Sequence, residues 1–480
     1  MLTVSNLEKK TIFLLLLSLL FNTVYGGFTK LLPPSQDDFY REPPGFEDAP
    51  LGAILKKRPT PAHIRTFALP MNLKNSWQIM FRSSNSIGDP NYIVATIMEP
   101  YNADPEKLIS YQTFEDSVHQ DCASSYGILK GAGIIEHLFT ETDISFTVLA
   151  LRKGYYVLVP DYEGPKSVFT AARQAGYGTL DAIRAALQSE SFTGISKNAK
   201  VAMWGFSGGA IASGWAAALQ SRYAPELSRN LIGAALGGAV MNLTSMFISN
   251  DNQMHANLIP RALIGLANEY PEIHDLLEAY VDPKQVDLFG MAHTLCFFPA
   301  MVKFFGRSIL SGKNPLFPNG YQLLAEPPIA EALRDNSLLY MNKTYLPQIP
   351  VFFYHGRLDR VVPIIDVKLT VKQWCNWGIK SLEFTEDKIN GHTTEIPFGA
   401  QAAWAWIEAR FAGKAPVKGC KHTKRLGNLF YPGGTKNLIG YLKGMKESLT
   451  YKELGAERFS KEMSISPSKL YKILDALVKF

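Results

Sequence analysis

The run Val201-Ala-Met-Trp-Gly-Phe-Ser-Gly-Gly-Ala210 constrains this 480-residue chain more than any other stretch. An apolar strand passes into Gly205-Phe206-Ser207-Gly208-Gly209, and an Ala-rich helix follows from Ala210 to Leu219. That is a G-x-S-x-G nucleophile elbow in its strand–turn–helix setting, which belongs at the top of an α/β-hydrolase sheet. The glycines two before and two after the serine let strand and helix pass closely, and Ser207 is held in a strained turn with its hydroxyl exposed.

A serine hydroxyl is a poor nucleophile near neutral pH, so the chain must also supply a histidine base and a carboxylate that orients it. In this fold the order is serine, acid, histidine. The acid is sought after a late buried strand. Val351 to Tyr354 is such a strand, and the loop His355-Gly-Arg-Leu-Asp359 follows it, so Asp359 is the acid, with Asp366 and Asp387 as competitors. Of nine histidines only His392 and His422 lie beyond Asp359. His392 follows the loop signal Asn390-Gly391 and opens an amphipathic helical stretch through Ile407, which is where the base belongs. His422 sits in the basic run Lys418 to Arg425 with no acid partner in view and is expected to be a solvated surface residue; His355 reads as structural.

The oxyanion formed on attack needs donors fixed in advance. One is the backbone N–H of Gly208, the residue after the serine. The second is expected from the loop Thr113-Phe-Glu-Asp-Ser117 after the strand Leu108 to Gln112, with Asp116 or a neighbour the candidate.

Strands alternate with helices around these motifs. Tyr155 to Val159 reads as a strand and Ala171 to Leu187 as a helix leading to the elbow. The pattern predicts an α/β fold with a doubly wound sheet. From Asn242 to Leu346 it turns helical and rich in Phe, Met and Leu, with Cys296 to Phe305 at its centre. A greasy insertion between nucleophile and acid is expected to form a cap or lid over the serine, its apolar walls suited to an acyl chain. The expected organisation is therefore a leader at 1–26, a hydrolase core at 27–241 and 347–435, a helical cap at 242–346, and a basic extension at 436–480.

Several separated segments together resemble the fungal secretory lipases: Tyr111 to Ser117, Gly205 to Gly209 with Trp215 to Leu227, Ala234 to Gly238, Tyr354 to Asp359, and Gly391-His392. The resemblance runs from roughly residue 30 to 435. It implies a triad of Ser207, Asp359 and His392, and an oxyanion contribution from Asp116. Two departures stand out: Arg360 occupies the position where the family commonly carries an acid, and the residues after about 435 do not look like the family's short ending.

Lys9-Lys10, the apolar run Thr11 to Phe21 and the small residues near Gly26 read as a secretory signal peptide. About eleven apolar residues are too few to cross a bilayer core of roughly 30 Å. Secretion favours pairing of the four cysteines, for which three connectivities exist. The resemblance implies Cys122 with Cys296 and Cys375 with Cys420. Asn242-Leu-Thr and Asn342-Lys-Thr are glycosylation sequons. No cofactor or metal is expected.

The net charge of +6 is uneven: from Arg410 onward fifteen Lys and Arg face five Asp and Glu, a surplus of ten. Leu438 to Lys446 and Lys469 to Phe480 mix apolar and cationic residues at helical spacing, which suits an anionic lipid surface, although a solvated, partly ordered tail is the plainer reading. Secretion argues against a nucleic-acid partner. The expectation is a secreted serine lipase acting on acylglycerols or related lipid esters at a lipid–water interface, and a monomer. The alternatives are a carboxylesterase or acyltransferase using the same triad on soluble esters, or a hydrolase-fold binding protein, whose usual sign is a missing triad member.

Overall fold

Apolar runs separated by turns assemble into one ten-stranded sheet in this computed structural model, which describes residues 31–456. The leader at 1–26 and the last part of the basic extension lie outside those residues. The strands are β1 (Ile54–Pro59), β4 (Asn75–Ser84), β5 (Pro90–Glu99), β6 (Asp104–Gln112), β7 (Tyr155–Pro160), β8 (Lys200–Phe206), β9 (Leu231–Gly237), β10 (Val351–Gly356), β11 (Ser381–Asp387) and β12 (Gly419–Arg425). A two-stranded ribbon, β2 (Arg65–Thr66) and β3 (Leu69–Pro70), stands apart. The sheet order is β1-β4-β5-β7-β6-β8-β9-β10-β11-β12. From β7 to β12 every pairing is parallel, and β1, β4 and β5 add an antiparallel edge.

Parallel strands covered on both faces carry near-continuous apolar residues, and β7, β10 and β11 are buried along their whole length. Alternate residues of β9 reach opposite layers, as period-two geometry requires. Leu236 faces Gly214 of the elbow helix Gly208–Tyr223, and Gly233 faces Trp406 of the helix His392–Phe411. Aromatic packing fixes these parts to one another. Trp204 of β8 stacks on Trp404 and donates its indole N–H to the Tyr354 hydroxyl at 3.0 Å, while Phe352 of β10 stacks on Trp406. Because β6, β8, β10 and β11 run in the same direction, the loops that follow them emerge at one end of the sheet, where open α/β sheets bind ligands.

Between β9 and β10 the described chain forms helices, including Leu243–Asn250, Leu258–Glu269, Glu272–Tyr280, Val286–Thr294, Phe297–Phe304 and Pro327–Asp335. A disulfide from Cys122 to Cys296 ties this insertion to the segment after β6. A second, Cys375 to Cys420, joins the helix Ile364–Asn376 to the edge strand β12. Both follow the connectivity that the family resemblance implies.

The reading of 436–480 as a solvated or lipid-adsorbing extension gives way over its first part. Gly434–Leu449 is a helix with Asn437, Leu438, Gly444 and Ser448 buried. Tyr441 stacks on Phe146 and shares a hydrogen bond with Ser145, and Arg152 pairs with Glu447 at 2.6 Å. Beyond it, Tyr101 N–H donates to Leu454 and Leu454 N–H to Asn72. The apolar face that the sequence offers to a lipid surface is thus spent on the core.

Candidate active site

The elbow sets the geometry of Ser207. Its backbone sits at φ 53°, ψ −119°, a left-sided conformation that is costly for a residue with a side chain. Its N–H donates to Gly237 O at 2.9 Å, which pins the turn to β9. A Cβ on Gly205 would meet the Gly209 carbonyl, and one on Gly209 would meet the Gln112 carbonyl. Side chains at either position would push helix and strands apart and release the serine from its turn.

Ser207 Oγ lies 2.9 Å from His392 Nε2, and His392 Nδ1 lies 2.6 Å from Asp359 Oδ2. The Nδ1–H donates to the carboxylate, which leaves Nε2 free to accept the serine proton. Asp359 is held by four donors. The N–H groups of Val361 and Val362 reach Oδ1 at 2.9 and 2.8 Å, and His355 Nε2 approaches Oδ2 at 3.1 Å beside its 3.0 Å contact with the Val362 carbonyl. Burial opposes ionisation of Asp359, yet His392 and His355 outweigh it and hold the carboxyl far below the usual carboxylate range. The structural histidine of the sequence thus orients the acid.

The competitors occupy other posts. Asp366 lies within the helix Ile364–Asn376, and Asp387 braces the histidine loop by accepting from the N–H groups of Ile389, Asn390 and Asn428. His422 corrects one expectation. It does have an acid partner, Glu386 at 3.2 Å, and stacks on Phe384, because the parallel register of β11 and β12 brings alternate residues side by side. It forms no contact with the serine.

On the opposite side of Ser207, Asp116 takes a left-handed φ of 48° and its carboxyl is buried against Gly208. Its Oδ1 has no hydrogen-bond partner among the described residues. Burial pushes its carboxyl up to about 7, against the pull of Arg261 and His392. Glu115 and Glu163 nearby are also raised well above the usual range by burial, then by neighbouring carboxylates. Arg261, from the inserted helix Leu258–Glu269, is the fully buried cation among them and donates to the Asp116 carbonyl at 2.6 Å. It also reaches the Leu295 carbonyl at 2.7 Å. Sequence reasoning missed Arg261, and an arginine in an otherwise apolar helical run was its only signal.

The cavity at Ser207 is lined by Phe114, Phe206, His255, Leu258 and Phe297 among others, besides Ser207, His392 and Asp116. At about 20 Å³ it has room for about one water. His255, also missed, comes from the insertion, and burial followed by the nearby His392 lowers its imidazole to about 4. Of the two sequon residues, Asn342 is exposed, whereas Asn242 is half-buried and caps the helix Leu243–Asn250 by accepting from Ser245 N–H at 3.3 Å.

The secretory lipase family profile matches residues 132–419. Lipase 1 of Candida albicans is 48% identical over 444 residues, covering 92% of this chain and 94% of that one. Lipase A of Arthroderma benhamiae is 36% identical, covering 84% and 85%. Among solved structures, Candida antarctica lipase A in its closed state superposes with a TM-score of 0.75 at 26% identity, covering 89% of this chain and 99% of that one. A rice cell wall degrading esterase, LipA from Xanthomonas oryzae, shares the fold at a TM-score of 0.55 and 16% identity, covering 76% and 97%. A strained serine elbow, an acid and a histidine in hydrolase order, and this extent of shared sequence lead to one conclusion: the chain belongs to the secretory lipase family and is a lipase.

Proposed function

We propose that the protein is an extracellular lipase that hydrolyses acylglycerols through an acyl-enzyme on Ser207. The observation that carries this reading is the unbroken hydrogen-bonded chain from Ser207 Oγ through His392 to Asp359 on a strained elbow. His392 takes the serine proton as Oγ attacks the ester carbonyl, and returns it to the departing glyceride oxygen. Asp359, kept ionised, steadies the imidazolium that forms. Gly208 N–H, the first of the elbow helix, and Asp116 N–H, which has no partner among the described residues, supply the oxyanion donors. Water then enters by the same route and releases the fatty acid.

The helical insertion acts as a cap. Phe297 and Leu258 wall the cavity, and room for about one water cannot admit an acyl chain, so substrate entry requires these elements to move outward. Secretion rests on the family together with the leader sequence, and N-glycosylation is assigned to the exposed Asn342 ahead of Asn242. Ser207→Ala abolishes ester hydrolysis, a loss of about 10⁵-fold or more, at unchanged secretion. His392→Ala does the same and His422→Ala does not. A variant pair with the opposite pattern overturns the triad.

A further inference from the structure

The three loops that close the triad side of the sheet share a pattern that catalysis does not use. After β10 comes Arg357-Leu358, after β11 comes Lys388-Ile389, and β12 ends in Arg425 followed by Leu426. Leu358, Ile389 and Leu426 are 58%, 55% and 61% exposed, although each lies at a strand end where a polar residue would cost nothing. Backbone bonds hold the loops side by side: Arg357 N–H donates to Asp387, Leu358 N–H to Asn390 and Lys388 N–H to Arg425. Among the described residues the side chains of Arg357, Arg360 and Lys388 are exposed and have no acid partner, while Arg425 lies over Tyr431.

Charge in this region is sorted by depth. Between Gly356 and Glu395 all six carboxylates, Asp359, Asp366, Glu383, Glu386, Asp387 and Glu395, are buried. All six Lys and Arg of the same span are exposed or half-exposed, and among the described residues Lys368 alone of these has an acid partner, Glu386 at 3.0 Å. At the strand ends themselves Arg357, Arg360 and Lys388 therefore stand exposed beside Leu358 and Ile389, while the nearby Asp359 and Asp387 are buried.

Aliphatic side chains in a cationic rim fit a lipid surface whose headgroups are anionic, the aliphatic groups entering the acyl layer and the cations staying at headgroup level. We infer that the rim formed by Arg357-Leu358, Arg360, Lys388-Ile389 and Leu426 docks the enzyme onto a glyceride surface carrying ionised fatty acid. This rests on the lipase reading: hydrolysis leaves a carboxylate in the very layer that holds the substrate, and the rim is built from the loops that carry Asp359 and His392. Adsorption then strengthens as product accumulates.

The test is partition of the full-length secreted protein onto triolein emulsions with and without 10 mol% oleate at pH 8, over a salt series, and onto phosphatidylcholine vesicles with and without phosphatidylglycerol. Wild type is expected to adsorb more tightly with oleate, and less so as salt rises. Arg357→Gln with Lys388→Gln removes the oleate-dependent gain, about 25-fold at roughly fivefold per cation. Arg357→Lys with Lys388→Arg keeps it, which separates charge from folding. Ile389→Ser with Leu426→Ser weakens adsorption about tenfold on plain and oleate-bearing emulsions alike. All these variants keep wild-type kcat/KM on a soluble butyrate ester, and Ser207→Ala keeps wild-type adsorption, so docking and chemistry fail independently. Oleate-independent adsorption of the wild type, or charge variants that bind oleate emulsions normally, overturns the proposal. A charge-variant defect confined to phosphatidylglycerol vesicles overturns it too, in favour of phospholipid as the occupant.

Discussion

Asp359 and Asp116 are buried beside the same serine, and their surroundings drive them in opposite directions. Asp359 receives two backbone N–H groups and two imidazoles, so its charged form is the stable one despite burial. Asp116 has a carboxyl oxygen without a hydrogen-bond partner among the described residues, and burial raises it to about 7. Donor count separates them. The triad side is built from loops that follow neighbouring strands and supply their own donors. The oxyanion side depends on a cation delivered from the insertion, Arg261, 145 residues away in sequence.

The largest expected break in that comparison is Asp359→Asn. It keeps the shape but favours the wrong imidazole tautomer, and kcat should fall about 10⁴-fold with KM little changed; steady-state kinetics on a soluble ester check it. Ending the chain after Pro432 tests whether the triad side supports itself. That truncation strips the helix packed on His392–Phe411 and removes the burial of Leu438, worth roughly 1.5–3 kcal/mol, together with the stack of Tyr441 on Phe146. Thermal unfolding should show a stability loss of about 3 kcal/mol or more, where a solvated tail predicts none. Arg261→Met probes the other side: with the Asp116 carbonyl released and Glu163 left without its cation, kcat should drop about 10- to 100-fold.

The smallest effect is a pH dependence. Asp116 and Asp161 stay protonated to about 7 in the folded protein and Asp143 to about 8, all raised chiefly by burial, whereas an unfolded aspartate loses its proton near 3.9. The folded state binds more protons across that window, so these groups stabilise fully below about pH 4, and their contribution is lost as pH rises through about 7. Asp359 has the opposite sign: its contribution is present above about pH 4 and lost as pH falls toward its depressed folded value. His137 and His255, lowered chiefly by burial to about 3 and 4, oppose this below about pH 6.5, so melting temperature should decline between pH 6.5 and 8, and Asp116→Asn should flatten that slope by up to one proton. A rising profile would contradict the contrast between the two aspartates.

Much of the triad side was legible because local signals specify it. Gly-x-Ser-x-Gly between a strand and a helix, an Asp three residues beyond a strand-ending Gly, and His after Asn-Gly each declare a strand end within a few residues. The helix Ala172–Leu187 and strands β7, β8 and β10 also follow local periodicity. What escaped depends on partners distant in sequence. Arg261, His255 and Glu386 acquire their roles only when the insertion folds back or when β11 and β12 pair. The amphipathic pattern of Gly434–Leu449 was visible, but periodicity cannot say whether an apolar face meets lipid or Phe146.

The central claim is that Ser207 is the group acylated in turnover. Incubation with an alkyl phosphonate ester, followed by peptide mass spectrometry, tests it most directly. The account predicts one phosphonyl group per chain, on Ser207, with matching loss of ester hydrolysis, and no labelling of Ser207→Ala or of protein whose His392 has been replaced by Ala. Stoichiometric label on any other residue, or full activity surviving a modified Ser207, would contradict it.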